Sequence, residues 1–237
     1  MLRLGSAQAK RQPFRVAKVC GKANDAGPAC ARGIRKLTAL EVTSHIGLVG
    51  RASVKAQIIE AGMAEMHARG YAACSVEQIT RTAGVPKGSF YNHFSSKEEL
   101  AVVVARRYFD VCGWPVGLEG GSAITRLRAS FEALHEVLRG YWFSRGCVWG
   151  NLANELADHS DAVRGELGEG LAGWSGMVAV LVAEAQQNGE TAAAGDPQVL
   201  GRFIVNSWEG AVTRCRVVRS DQPIDDFFVT IFGFLLG

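Results

Sequence analysis

The segment Ser75–Leu100, SVEQITRTAGVPKGSFYNHFSSKEEL, carries the pattern that decides the fold. Ser75 is followed three residues later by Gln78, the spacing of a capping box. There the serine oxygen takes a free amide of the first turn and the glutamine reaches back to the cap. Val76, Ile79 and Ala83 then make a narrow apolar stripe at helical spacing. Gly84 supplies a turn, and Pro86 stands where a new helix would start, its missing N–H being no loss in a first turn. Phe90 and Phe94, four apart, give the second helix a buried face. Ser96 and Glu99 repeat the capping-box spacing and open a third helix, with Leu100, Val103 and Val104 turned inward.

Upstream, the character of the chain changes at Arg51. Val54, Ile58, Ile59, Met63 and Met66 recur at helical spacing, and Gly70 stops the run. The unit is therefore four helices over residues 51–110, with two very short ones in the middle. Two short helices joined by a tight glycine-containing turn make a helix-turn-helix, whose second helix can lie in the DNA major groove. With Phe90 and Phe94 facing a core, Lys87, Ser89, Tyr91, Asn92 and His93 are left for the surface. Lysine neutralises phosphate or reads guanine, Ser and Asn bond phosphates or base edges, and Tyr bonds phosphate or packs on a thymine methyl. Gly88 lets a DNA backbone approach closely. Lys97 falls in the first turn of the following helix, where free N–H groups and its charge together favour a phosphate. Taken singly, His93 reads as an ordinary core or surface histidine, and Lys87 and Lys97 as solvated charges. The order of cap, glycine turn, proline start, aromatic pair and second cap is what sets those readings aside.

Charge agrees with a polyanion partner at one end. Residues 1–50 hold nine Lys/Arg against two acids, residues 51–110 eight against six, and residues 111–237 nine against fifteen. Residues 1–50 show no sustained periodicity and read as a disordered basic tail. They are Arg-rich and acid-poor like a transit peptide, yet lack the apolar core of a signal peptide. A true start near residue 50 stays open, although no methionine lies between Met1 and Met63. The six cysteines are scattered, without CxxC or metal-ligand spacing, which suits reduced thiols in a cytoplasm. No apolar run is long enough for a membrane helix. No metal cluster, nucleophile elbow or phosphate loop appears, so neither an enzyme, a cofactor nor a metal is expected. The rival to a sequence reader is an architectural DNA-binding protein that uses the basic tail.

From residue 111 onward the patterning is again helical, with helices expected at roughly 122–141, 147–158, 160–188, 197–219 and 223–236. The expected fold class is all-α: an N-terminal helix-turn-helix domain over 51–110 and a C-terminal helical bundle over 111–237.

The stretch SVEQITRTAGVPKGSFYNHFSSKEEL resembles the DNA-binding signature of the TetR/AcrR family of transcriptional regulators, matched nearly throughout. The resemblance implies DNA contacts from the residues matching Thr82, Lys87, Gly88, Ser89, Tyr91, Asn92, His93 and Lys97, and Ser75 and Thr82 are candidates for contacts to the DNA backbone from the first helix of the motif. It gives Lys87 and Tyr91 mixed base and phosphate roles. The later stretches RGCVWGNLANELADHSDAVRGEL, EAQQNGE and WEGAVTRCRVVRS, with Trp174, are similar to a subgroup that senses acrylate and N-ethylmaleimide-like electrophiles. This implies a small-molecule effector, a homodimer formed through about 197–219 and 223–236, and an operator as partner. Trp142, Phe143, Trp149 and Trp174 are candidates for an apolar effector pocket. Core packing is the plainer reading of each. Cys147, after Gly146 at an expected helix start and next to Arg145, is the candidate reactive thiol; a buried, inert cysteine is the alternative.

Overall fold

The computed structural model describes residues 53–112 and 120–237, and every regular element in them is helical. The elements are α1 (Val54–Arg69), α2 (Val76–Thr82), α3 (Lys87–Tyr91), α4 (Lys97–Cys112), α5 (Ala123–Gly140), α6 (Val148–Leu156), α7 (Asp161–Gln187), α8 (Pro197–Val218) and α9 (Gln222–Val229). A π-helical turn, Thr230–Leu235, follows α9, so the single helix expected over 223–236 changes its hydrogen-bond register partway. The basic tail over 1–50 lies outside the described residues. None of the described helices is long and apolar enough to cross a membrane.

The helix starts follow from short polar caps. The Ser75 hydroxyl accepts from Gln78 N at 3.1 Å, while the Gln78 side chain accepts from Ser75 N at 2.7 Å, closing both halves of the box. Pro86 is the cap of α3, and the helix begins one residue later than the sequence suggests. At α4 the box is displaced: Ser96 Oγ accepts from Glu99 N at 3.1 Å, but the Glu99 carboxylate turns to Ser95, taking its N–H at 2.7 Å and its hydroxyl at 2.8 Å. Ser95 offers two donors where Ser96 would offer one. Ser122, Ser160 and Asp196 cap α5, α7 and α8.

A single buried cluster runs from Ile58 in α1 to Leu236. Phe90 and Phe94 are sealed in its N-terminal end, and each contributes roughly 1.5–3 kcal/mol by leaving water. The most extensive helix pairing is between α7 and α8. It is tight because Gly201 has no side chain: a Cβ there would stand 2.5 Å from the carbonyl of Ser175. Polar links join α4 to α7. Arg106 forks onto Glu166 at 3.0 and 2.5 Å, and the Ser160 hydroxyl donates to Glu98 at 2.5 Å.

Candidate nucleic-acid interface and internal cavity

The turn between α2 and α3 is closed by Gly84 N on Arg81 O (3.1 Å) and Val85 N on Thr80 O (3.0 Å). With Phe90 and Phe94 anchored inside, α3 turns Lys87, Gly88, Tyr91 and Asn92 to solvent, and Ser89 and His93 lie half-buried beside them. Tyr91 is 58% exposed, its ring braced edge-on against Phe90 at 5.2 Å. A Cβ added at Gly88 would meet nothing within 4 Å, so internal packing does not ask for glycine there. These six candidate residues therefore come together on one short helix and the turn after it.

The other three candidates sit differently. Ser75 is the cap of α2 and Thr82 its last residue, and both are exposed. The Ser75 hydroxyl is engaged in its cap, and the Thr82 hydroxyl donates to Glu65 at 2.7 Å. That bond, with Arg69 at 2.8 Å, holds the Glu65 carboxyl below its ordinary pKa. Lys97 is turned inward. Its ammonium donates to the carbonyls of Tyr71 (2.8 Å) and Cys74 (2.7 Å) and lies 4.0 Å from the centre of the Tyr71 ring. It clasps the loop that leads into α2.

The same loop is held from the other side. Glu155, near the end of α6, accepts from Tyr71 N at 3.0 Å and from Ala72 N at 2.6 Å. Gly70 opens the loop at φ 84°, ψ 169°, a conformation that is essentially restricted to glycine.

At the opposite end of α6 lies a cavity of about 60 Å³. His67, Tyr108, Phe109, Leu134, Cys147, Trp149, Trp174, Trp208, Glu209 and Val212 are on its wall. Trp149 donates its indole N–H to Ala105 O at 2.8 Å and stacks on Phe109 at 5.4 Å. It lies flat over Gly170, where a Cβ would come within 2.8 Å of the ring. Cys147 caps α6 and its thiol is hydrogen-bonded to the Glu209 carboxyl. Burial pushes the Glu209 pKa up to about 7, against the opposite pull of that bond, and its Oε1 has no hydrogen-bond partner. His67 Nε2 lies 2.8 Å from Gly146 O, so this nitrogen carries the proton. Burial lowers the pKa of this imidazole.

Of the five residues expected around an effector, Cys147, Trp149 and Trp174 line this cavity. Trp142 does not: it is 84% exposed. Phe143 is buried, but it packs against His135 at 6.3 Å, away from the cavity. The reason is a turn after α5 in which Trp142 and Phe143 both take left-handed backbone angles, φ 51° and 53°. Two non-glycine residues in that region leave no mark in a hydrophobic pattern. Glu209, His67 and Trp208 were not expected. Glu209 had a readable signal, because Val205, Glu209 and Val212 follow i, i+4, i+7 and put an acid on the apolar stripe of α8.

Comparisons with known proteins agree with the all-helical fold. Residues 58–104 match the family model for bacterial regulatory proteins of the tetR family, and residues 123–231 match that for the tetracyclin repressor-like C-terminal domain. The chain is 35% identical over 192 residues to the HTH-type transcriptional repressor DhaR of Mycobacterium sp. (strain GP1), spanning 79% of this chain and 95% of that one. It is 33% identical over 180 residues to the transcriptional regulator AcuR of Cereibacter sphaeroides, spanning 74% and 82%. A crystal structure of a regulatory protein TetR from Rhodobacter sphaeroides superposes with a TM-score of 0.72 at 30% identity, over 78% of this chain and 100% of the other. The chain belongs to the TetR family, whose members are helix-turn-helix transcriptional regulators and not enzymes.

Proposed function

We propose that this chain is a repressor that leaves its operator when a small molecule enters the cavity or when Cys147 is modified. The observation that carries the reading is the placement of α6. One end of this nine-residue helix starts at Cys147 on the cavity wall, and the other presents Glu155 to the loop before α2. A shift of α6 is therefore felt at the helix-turn-helix without passing through flexible chain. In this proposal α3 enters the major groove, with Lys87 and Tyr91 on base edges and phosphates and Gly88, Ser89, Asn92 and His93 mainly on phosphates. Ser75 and Thr82 approach the backbone from α2, and Lys97 reaches a phosphate only with the N–H that its two carbonyls leave over. An effector weakens DNA binding by its differential affinity for the two arrangements, and DNA weakens effector binding by the same factor.

The working unit in this proposal is a homodimer formed through about 197–219 and 223–236. Its support is an apolar surface on these elements: Val199 and Phe203 are half exposed, and Val217 and Phe234 are 79% exposed. Ser207, Gly210 and Arg214 continue the Phe203 face at spacings of four, three and four, and line a groove with Asp226 and Phe227. As a reader of chromosomal DNA, the protein works in the cytoplasm.

The test is a band-shift and footprint series on DNA upstream of its own gene, with light scattering on the same sample. One protected, roughly palindromic site bound by dimers supports the proposal. Binding without sequence preference, removed by deleting residues 1–50, refutes it in favour of the architectural rival.

A further inference from the structure

The cavity wall carries one carboxyl, Glu209, and one imidazole, His67. Among the described residues on its wall there is no lysine or arginine, and the Glu209 carboxyl has Cys147 as its partner on one side and nothing on Oε1. A carboxyl removed from water without a cation is costly, and a compensating charge is what the site lacks. On its wall stand the indoles of Trp174 and Trp208, and indole faces attract cations, whereas the faces of Trp149 are taken by Phe109 and Gly170. The volume of about 60 Å³ fits roughly four water-sized positions at about 15 Å³ each. We infer that the cavity takes a small organic cation, a protonated or methylated amine of few heavy atoms, with Glu209 as its counter-ion and the indoles of Trp174 and Trp208 beside it. This rests on reading the cavity as the effector site, but binding can be tested apart from release of DNA.

The groups that could compete are few. From α1, His67 faces the cavity with its Nε2 proton committed to Gly146 O, and burial lowers its pKa. From α4 comes the phenol of Tyr108, from the start of α6 the thiol of Cys147, and α5 and α7 bring no titratable wall residue. Arg145 and Arg216 act on His67 and not on Glu209. The wall therefore suits a positive guest and opposes a carboxylate.

The experiment titrates the full-length chain with isopropylammonium, 2-propanol and propionate, following tryptophan fluorescence and thermal midpoint at pH 6 and pH 8. The cation should bind about tenfold tighter than the alcohol at pH 8. It should bind about tenfold more weakly at pH 6, where Glu209 takes up a proton. Propionate should not bind. Glu209→Gln should remove the preference for the cation while the alcohol still binds. If that variant does not fold, the wild-type pH series alone decides. Alcohol or propionate binding as tightly as the cation, or a cation affinity that does not fall at pH 6, overturns the inference. Operator affinity measured in the same titrations separates the two readings. A cation that binds without releasing DNA upholds the site and refutes its role as effector. Release by another small molecule, with no cation binding, refutes the cation and leaves the effector reading intact.

Discussion

Glu155→Ala removes the carboxylate that joins α6 to the loop before α2. Two main-chain N–H groups lose their acceptor, Tyr71 N at 3.0 Å and Ala72 N at 2.6 Å. A hydrogen bond to a charged group contributes about 1.5–3 kcal/mol. The Ala72 amide is exposed and water replaces its partner readily; the Tyr71 amide is half-buried and is not so easily satisfied. The expected loss is therefore that of one charged bond, about 1.5–3 kcal/mol, rather than two. For a chain of this size that lowers the thermal midpoint by about 3–12 °C. Glu155→Gln keeps one acceptor oxygen and should fall between wild type and alanine. Operator affinity should fall with it, by up to about tenfold if the freed loop holds the binding arrangement only a tenth of the time. Calorimetry at fixed protein concentration and fluorescence anisotropy on the operator measure the two effects. Glu166→Gln is the control: it breaks the Arg106 fork between α4 and α7, but Arg106 is 66% exposed there and the loss should be under about 1 kcal/mol. A Glu155→Ala protein with unchanged midpoint and unchanged operator affinity refutes the coupling through α6. So does a midpoint no lower than that of the control.

Lys87→Ala and Lys97→Met should separate by assay: the first lowers the slope of operator affinity against log salt by about one without moving the midpoint, and the second lowers the midpoint because two loop carbonyls lose their donor. Gly70→Ala should reproduce Glu155→Ala, since its Cβ would stand 2.4 Å from Glu155 Oε1 on a backbone that costs about 1–3 kcal/mol for any other residue. Glu209→Gln should stabilise the protein at pH 8 by up to about 3 kcal/mol and less as pH falls. The sign follows from the raised pKa: the folded state holds the extra proton between about 4.5 and 7, so the wild type loses stability as pH rises through that window. His67, whose pKa is lowered, acts oppositely at the acid end and cancels in the comparison of the two proteins, which denaturant titration at pH 5, 6, 7 and 8 makes directly. Phe203→Glu should turn the dimer into a monomer in light scattering and weaken operator binding, the residue being 52% exposed in the single chain.

The elements were legible in the chain because their signals are local. A cap, a glycine turn and two phenylalanines four residues apart determine α2, the turn and α3 without reference to anything distant. The same holds for the long helices, whose apolar stripes repeat over many turns. What the sequence hid was the work of single charged residues. Lys97 reaches carbonyls 23 and 26 residues upstream, and Glu155 reaches amides 83 and 84 residues away. A lysine in a first turn looks the same whether it waits for a phosphate or holds a loop, because its stem is long enough for either.

Glu209 differs from these two, and the difference is informative. An acid on an apolar stripe breaks a local pattern, so it can be seen from sequence even when its partner cannot. Lys97 and Glu155 break no pattern, since loops and helix ends carry charges for many reasons. They hold the same loop, one from α4 and one from α6, and that loop sets the entry to α2. The α4 clasp stays within the N-terminal four helices, whereas the α6 clasp belongs to the helix that begins at the cavity. A ligand that moves α6 thus pulls on one of two holds while the other stays fixed, and the expected result is a tilt of α2 and α3 about Lys97 rather than loss of the helix-turn-helix. Hydrogen exchange should then quicken at Tyr71 and Ala72 when an effector binds and stay slow at Phe90 and Phe94, whose side chains remain sealed. Uniform quickening across α1 to α4 would mean that the reader melts instead of tilting.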